Sequence, residues 1–521
     1  MTDPSPEQSA RPPCRTNLLI GLVVVCAGAL GVVRGRSWTS VQQGNMAFMI
    51  TLAISCGLVL LWFLLFSGLS WRVRRLVCAV LAVAALLGLA LFKYDGVSGD
   101  LIPKFRWRWG NTGPPPLQVT AADGAQVVPA PPGAADFPQF LGPHRNCRLD
   151  EPDLETDWKT HPPQELWRLP VGKAWTGFAV SAGMAITQEQ REDQELVVCY
   201  QLDSGKILWS HADATRHEDP LGGVGPRANP LVADGRVFTQ GATGILNCLD
   251  LATGRVVWSK DILTGNGAKR PEYGVSASPL LVGEMVVVMP GNRSGATLAA
   301  YHRDNGTRLW IGGTQSASYS SPVVAAIGGV EQVLHLGRDA LVSYEPTNGK
   351  VLWEFPAWPQ NQQPNIAVPV TLSGDRVLIS SGYGRGSRLA EIKREGTAWT
   401  AQEGWSTNRM KAKFTNLAES GGLVYGLDDG VLACLDPADG QLKWRGEKYG
   451  HGQVLFVKSR LLIMAEDGSV VQAEVNGTGM KELGRFQALN EKTWNPPALA
   501  GNYLVVRNDQ EAVCYRLPVR T

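Results

Sequence analysis

The sequence carries almost no surplus of charge of either sign, with 49 Lys and Arg against 47 Asp and Glu. A dedicated nucleic-acid binder needs a basic excess, so this balance argues against one. Charged residues are scarce at 18 %, and with this composition disorder, a collagen helix and a single coiled coil are excluded. The nine cysteines, at 14, 26, 56, 78, 147, 199, 248, 434 and 514, include no adjacent pair and no C-x-x-C. A zinc ribbon, a thioredoxin-type site and a c-type haem site therefore lack support. Cys14 does not sit like a lipoprotein cleavage cysteine. Cys199, Cys248, Cys434 and Cys514 each fall in a short β-like run and read as small buried apolar side chains. G-x-S-x-G, H-E-x-x-H and Walker loops are missing, and the seven histidines show no metal-ligand spacing. No catalytic residue, metal or cofactor is expected.

Glycine (58) and tryptophan (17) are abundant, the habit of an all-β chain with many turns and aromatic anchors. The 521 residues allow two to four domains. Three apolar runs, Leu18–Val33, Met46–Leu69 and Leu76–Phe92, contain no charged residue. The middle run, 24 residues long, is enough to cross a hydrocarbon core of about 30 Å. Arg34-Gly35-Arg36, not a small-residue cleavage site, follows the first run. Residues 18–92 therefore read as a three-helix membrane anchor, and the lack of intramembrane charge favours anchoring over transport. Arg72, Arg74 and Arg75 crowd a short loop and place it in the cytoplasm. Residues 1–17 then form a cytoplasmic tail, and everything after Phe92 lies outside. Lys93, Lys104, Arg106 and Arg108 pull the other way.

Residues 93–163 hold twelve prolines and read as an extended stalk. They include Pro114-Pro115-Pro116 and Pro129-Ala130-Pro131-Pro132. Within the stretch, Asp136–Pro143 is more apolar and is expected to pack on the domain that follows.

From residue 164 to 517 the chain repeats itself. Gly205, Gly254, Gly306, Gly349 and Gly440 each precede a tryptophan by four residues: Trp209, Trp258, Trp310, Trp353 and Trp444. Asp or Asn before the glycine marks a hairpin turn, and the tryptophan faces one side of the strand after it. Residues 388–405, ending in Trp405, fill the double gap before Gly440. Further strand-like runs lie upstream of each turn, giving four strands per roughly 45 residues, a propeller blade. Entries near Phe178, Ala228, Ala277, Ser320, Ala367, Phe414, Gly452 and Pro496 count eight four-stranded antiparallel blades; seven is the alternative count. Residues 164–170 supply the missing outer strand of the last blade, with Trp167 in the repeat position, so that the chain ends close the ring. These seven tryptophans are read as blade packing.

The turn-plus-Trp unit, as in Asp250–Trp258, resembles the PQQ-like propeller repeat of quinoprotein dehydrogenases and of BamB, the lipoprotein of the outer-membrane β-barrel assembly machinery. Phe137-Pro138-Gln139-Phe140-Leu141-Gly142-Pro143 resembles the segment that opens the propellers of membrane-anchored proteins of planctomycete-type bacteria, with Leu141 in place of the usual Arg. The resemblance implies a periplasmic propeller. In the dehydrogenase branch the quinone stacks on a disulfide between adjacent cysteines and Ca²⁺ is held by carboxylates; no Cys-Cys occurs here. Asp375, Asp428 and Asp429 read as turn formers. Gly382–Ser387 reads as a glycine-rich hairpin tip, since no helix follows it.

The segments entering each innermost strand carry Trp175, Arg227, Tyr273, Tyr319, Asn365, Lys413, His451 and Trp494. If the blades are equivalent, these eight approach one mouth of the central channel, a ring suited to a peptide or small ligand. The leading expectation is a non-enzymatic, multi-pass inner-membrane protein whose periplasmic propeller binds protein or peptide partners of the cell envelope. BamB-like assembly work is what the resemblance implies, although BamB is lipid-anchored to the outer membrane. The alternatives are a PQQ-dependent oxidoreductase and a sensor coupled to the helices.

Overall fold

The computed structural model describes residues 16–38, 41–110, 117, 129–358 and 364–520. Cys14 and Pro114-Pro115-Pro116 lie outside the described residues. The chain divides into two compact units near residue 112.

The first unit contains helices α1 (Thr16–Gly35), α2 (Val41–Phe66) and α3 (Trp71–Leu91), each long and apolar enough to cross a membrane. The second starts five residues before its apolar run, and Gly68, at φ +68°, stands in the bend that follows it. Arg72, Arg74 and Arg75 lie within the first five residues of α3 and not in the expected loop. Arg74 donates from Nη1 to the Leu64 carbonyl, one of the acceptors left over at the end of α2. The reading of 93–163 as one irregular stalk also needs correction. A hairpin of β1 (Phe92–Val97) and β2 (Pro103–Trp107) follows α3 directly. Its alternation of aromatic and charged residues favours a ladder, and the prolines are too sparse there to prevent one.

The second unit is an eight-bladed propeller of four-stranded antiparallel sheets. The innermost strands start one to four residues after each expected entry, from Ala179–Ser181 in the first blade to Ala498–Ala500 in the eighth. Gln164–Pro170 pairs antiparallel with Glu511–Arg516, so the last blade is built from both ends of the domain.

The Gly-to-Trp spacing marks the seams. Indole Nε1 of Trp167, Trp209, Trp258 and Trp310 donates to Leu202, Leu251, Arg303 and Pro346 carbonyls in the turn of the next blade, at 2.8–2.9 Å. Trp405 and Trp444 do the same to Pro437 and Asn476, at 3.1 and 2.6 Å. At all of these seams except that of Trp444, the turn glycine lies against the indole. A Cβ added at Gly254, whose φ is +69°, would stand 2.5 Å from Trp209. Directly opposite the indole in the ladder stands a small or aliphatic residue, which is where Cys199, Cys248, Cys434 and Cys514 sit. All four are buried and unbridged, so they are packing residues.

Two blades depart from the pattern. In the fifth, strands Gly386–Glu395 and Ala398–Thr407 are ten residues each, which carries their turn away from Trp353. Trp353 instead donates to Gln332 Oε1 of its own blade at 2.9 Å. The seventh has no tryptophan in its outer strand. Trp158, from the segment before the propeller, packs on Gly484 and meets Phe486 edge-on at 5.5 Å, filling the seam to the eighth.

Residues 129–163 are therefore part of the propeller, as expected for Asp136–Pro143 but not for the rest. Phe137 exchanges two backbone bonds with Val180 of blade one, and Pro138 accepts from Val232 of blade two, all at 2.8 Å. Arg145, buried, donates to Pro279 and Ser278 of blade three at 2.6 and 3.1 Å. Cys147 and Leu149 accept from Phe456 and Lys458 of blade seven at 2.8 and 2.7 Å, and Arg148–Leu149 adds a fifth, parallel strand there. In an eight-membered ring blades two and three lie across from blades six and seven, so this segment crosses the axis. It stops one end of the channel with Phe137, Leu141 and Cys147, each 5 % exposed or less.

Candidate functional site

The plugged end is the end where the first and second strands of each blade turn. The eight residues singled out in the sequence precede the innermost strands and therefore belong to the opposite mouth. The structure brings them into one open series of contacts. Trp175 and Trp494 meet at 4.8 Å between ring centroids, and Trp494 meets Phe414 at 4.5 Å. His451 stands edge-on to Phe414 at 5.8 Å. Lys413 Nζ lies 4.8 Å over Phe414 and 5.0 Å over Tyr383. Two residues on, Arg385 donates to Asn365 Oδ1 at 2.6 Å, and the Asn365 carbonyl accepts from the Tyr319 amide at 2.9 Å. Tyr319 and Tyr273 rings are 5.4 Å apart. Arg227 pairs with Asp219 at 2.5 Å, and the Pro226 carbonyl accepts from the Trp175 amide at 3.0 Å, at the other end of the series.

The ring is not uniformly open. Asn365, Lys413, His451 and Trp494 are buried, and the Arg227 guanidinium is nearly so. Trp494 and His451 are held by Glu466, which accepts from the indole Nε1 at 3.0 Å and the His451 amide at 2.9 Å. Trp175, Tyr273 and Tyr319 reach the surface. Tyr273, Tyr319 and Asn365 line a cleft of about 650 Å³ at blades three and four, whose walls also carry Lys269, Glu272 and Arg338. Burial raises the Tyr319 phenol to about 12, so it stays a neutral hydrogen-bonding group.

Beneath the mouth a belt of short polar side chains ties neighbouring blades at five of the eight seams. Asn229 Oδ1 accepts from the Gly177 amide at 2.8 Å, Ser278 Oγ from Asn229 at 2.9 Å, and Ser321 Oγ from Ser278 at 2.9 Å. Asn416 accepts from Val368 at 3.0 Å, and Asn495 donates to Thr176 at 2.7 Å. The sequence reading passed over these residues. Their signal was present as Asn or Ser before Pro at 229, 278, 321 and 495.

Asp428 and Asp429 stand at a turn as expected, yet they do more than form it. Both are buried, and Lys411 Nζ lies 2.7 Å from Asp428 and 3.6 Å from Asp429. Asp375 takes a positive φ and accepts from the Gly328 amide of the preceding blade at 2.8 Å. Gly382–Ser387 forms the tip between strands Arg376–Ser381 and Gly386–Glu395, a glycine-rich hairpin as expected. Among the described residues no cluster of His, Cys, Asp and Glu is placed to hold a metal ion.

Glu195, buried beside the second blade's loop, accepts from the Ala242 amide at 3.0 Å. Burial first, and then the charge of Asp213, pushes its carboxyl up from 4.5 to about 7. The folded protein thus holds a proton that the unfolded chain has released, so Glu195 favours folding most below pH 4.5 and less as pH rises through 7. The loss is roughly 3 kcal/mol. Unfolding titrations at a series of pH values are expected to show this decline, and Glu195→Gln is expected to flatten it; an unchanged slope in the variant would assign the decline elsewhere.

Two overlapping stretches, 163–270 and 193–446, match the PQQ_2 family, described as outer membrane protein assembly factor BamB. They span more than half of the chain. The chain belongs to this BamB family. Among its relatives are the outer membrane protein assembly factors BamB of Shewanella oneidensis and Burkholderia pseudomallei. The first is 23 % identical over 64 % of this chain and 86 % of its own length. The second is 21 % identical over 53 % of this chain and 70 % of its own length. The crystal structure of BamB from Moraxella catarrhalis matches 69 % of this chain and 99 % of that one at a TM-score of 0.50 and 16 % identity, a likeness of fold. Residues 16–91, with their three apolar helices, precede the part of the chain that matches the BamB family.

Proposed function

We propose that this BamB-family chain is a non-enzymatic scaffold, held in the bacterial inner membrane by α1–α3, whose propeller in the periplasm receives an extended segment of an envelope protein. The observation that carries the reading is the difference between the two ends of the propeller: the Phe137–Cys147 segment crosses one, while Tyr273 and Tyr319 flank a cleft at the other. A tyrosine pair with cationic neighbours suits a peptide with aromatic and acidic side chains. The relatives named as assembly factors support a protein partner, and a rigid rim bearing loops is the usual place for such contacts. A photo-crosslinking residue at 273 or 319 in intact cells is expected to capture one discrete protein. Tyr273→Ala with Tyr319→Ala is expected to weaken that partner at least about tenfold, the effect of losing aromatic anchors. Capture that is equally strong from a probe at Lys393, on an outer-edge hairpin, would refute a specific mouth. A quinone chromophore in the purified chain would overturn the non-enzymatic part.

A further inference from the structure

The β1–β2 hairpin is two-faced. Phe92 stands opposite Trp107 and Tyr94 opposite Phe105, while Lys93 stands opposite Arg106. Because side chains alternate along a strand, Phe92, Tyr94, Phe105 and Trp107 share one face, and Lys93, Lys104 and Arg106 share the other with Asp95, which lies 3.7 Å from Arg106 and leaves that face net positive. The four aromatics pack in cross-strand pairs at 5.5 and 6.3 Å, yet each remains more than two-fifths exposed. Trp109 extends the patch, edge-on to Trp107 at 5.6 Å. Exposed aromatic area of this size in water is costly and marks a contact surface.

The hairpin's position says what meets it. It starts at the residue after α3, and the Arg108 amide donates back to the Leu91 carbonyl at 2.8 Å. Its turn is tied to the start of α2: Gln42 donates to Gly99 at 3.0 Å and Asn45 to Asp100 at 2.9 Å. The hairpin is therefore fixed at the level where two apolar helices end. In a bilayer crossed by those helices, this is the headgroup zone, where aromatic rings settle and Lys and Arg reach anionic phosphates.

We propose that the β1–β2 hairpin is a lipid-interface anchor, its aromatic face seated in the headgroup–acyl boundary and its cations on anionic headgroups. The proposal rests on the reading of α1–α3 as membrane spans. It also explains why Lys93, Lys104, Arg106 and Arg108 oppose the orientation set by the arginines of α3: they serve lipid contact, not topology.

The test uses the full chain in phosphatidylcholine vesicles, with and without phosphatidylglycerol, after replacing Cys14, Cys56 and Cys78 by Ala. Phe105→Cys and Lys104→Cys are each labelled with an environment-sensitive dye. The dye at 105 is expected to shift to the blue, lose quenching by aqueous iodide and gain quenching by lipids brominated near the headgroup, more so with phosphatidylglycerol. The dye at 104 is expected to remain open to iodide. Equal iodide quenching at both positions would overturn the proposal, as would shielding at 105 from iodide and brominated lipid alike, which would mean a protein covers the face. Native Cys56, exposed in α2, is labelled separately in a chain that keeps it. Failure of deeply brominated lipid to quench that dye would overturn the membrane placement itself, and the hairpin proposal with it.

Discussion

Trp209→Ala is expected to destabilise the propeller by about 3–5 kcal/mol, the cost of emptying a large buried aromatic site. Trp209 is fully buried between blades one and two, and its removal also leaves the Leu251 carbonyl without its donor. The sharper form of the prediction lies in the glycine that faces it. Gly254 and Gly396 both take positive φ, +69° and +63°. A side chain in that region costs roughly 1–2 kcal/mol wherever it occurs. At Gly396 an added Cβ meets nothing within 4 Å, while at Gly254 it collides with the Trp209 indole. Gly396→Ala should therefore lose the backbone cost alone. Gly254→Ala should lose clearly more, approaching Trp209→Ala. Urea unfolding of the detergent-solubilised full chain, followed by tryptophan fluorescence, measures all three. Equal losses at the two glycines would mean that the indole seam does not set the stability of the ring.

Arg507→Ala is expected to cost a similar amount, about 3–5 kcal/mol, for a different reason. Arg507 is 1 % exposed and belongs to blade eight. Its guanidinium donates to Gln188 at 2.8 Å, Thr187 Oγ1 at 3.0 Å and Gly172 at 2.6 Å, reaching the first blade and the connector leading into it. Burial draws its pKa below the ordinary value, and the carboxylate of Glu189 opposes that shift. Removing the cation strands those carbonyls in a dry site beside Glu189, whose remaining cation is Arg191 at 2.7 Å. Arg507→Lys keeps the charge but lacks the fork that spans three acceptors, so an intermediate loss is expected. Because this is the junction where the two chain ends meet, amide exchange should rise first in Gln164–Pro170 and Glu511–Arg516. Uniform loosening of all blades in the variant would contradict a local role in ring closure.

The propeller was legible because one physical requirement recurs along the chain. Each turn must admit an indole from the neighbouring blade, and only glycine at positive φ leaves room for it, so Gly and Trp appear at a fixed spacing. The same periodicity hid the exceptions. Blade seven offers no tryptophan of its own, and nothing local to residues 453–487 says that Trp158 will fill its seam. Blade five shows its tryptophan but not the lengthened hairpin that turns Trp353 back onto Gln332. The eight mouth residues were readable as positions, since equivalent blades bring equivalent segments to the same end. Their exposure was not: Lys413, His451 and Asn365 look like rim residues in sequence, yet stacking on Phe414 and bonding to Gly337 bury them. The stalk was misread because proline content speaks for backbone restraint and is silent on whether a restrained chain has a surface to lie on.

The repeat, the closing strand and the three apolar helices could thus be read from the residues alone, because each follows from short-range spacing or from the length of an uncharged run; eight blades, against the alternative count of seven, came from the sheet topology. It took the folded chain to show that Phe137–Cys147 stops one end of the channel, that Asn229, Ser278, Ser321, Asn416 and Asn495 lie beneath the other, and that the hairpin after α3 has an aromatic face. Those arrangements join residues far apart in the chain, or turn on which side of a strand pair faces outward. Local pattern carries no record of either until the blades are placed around their axis.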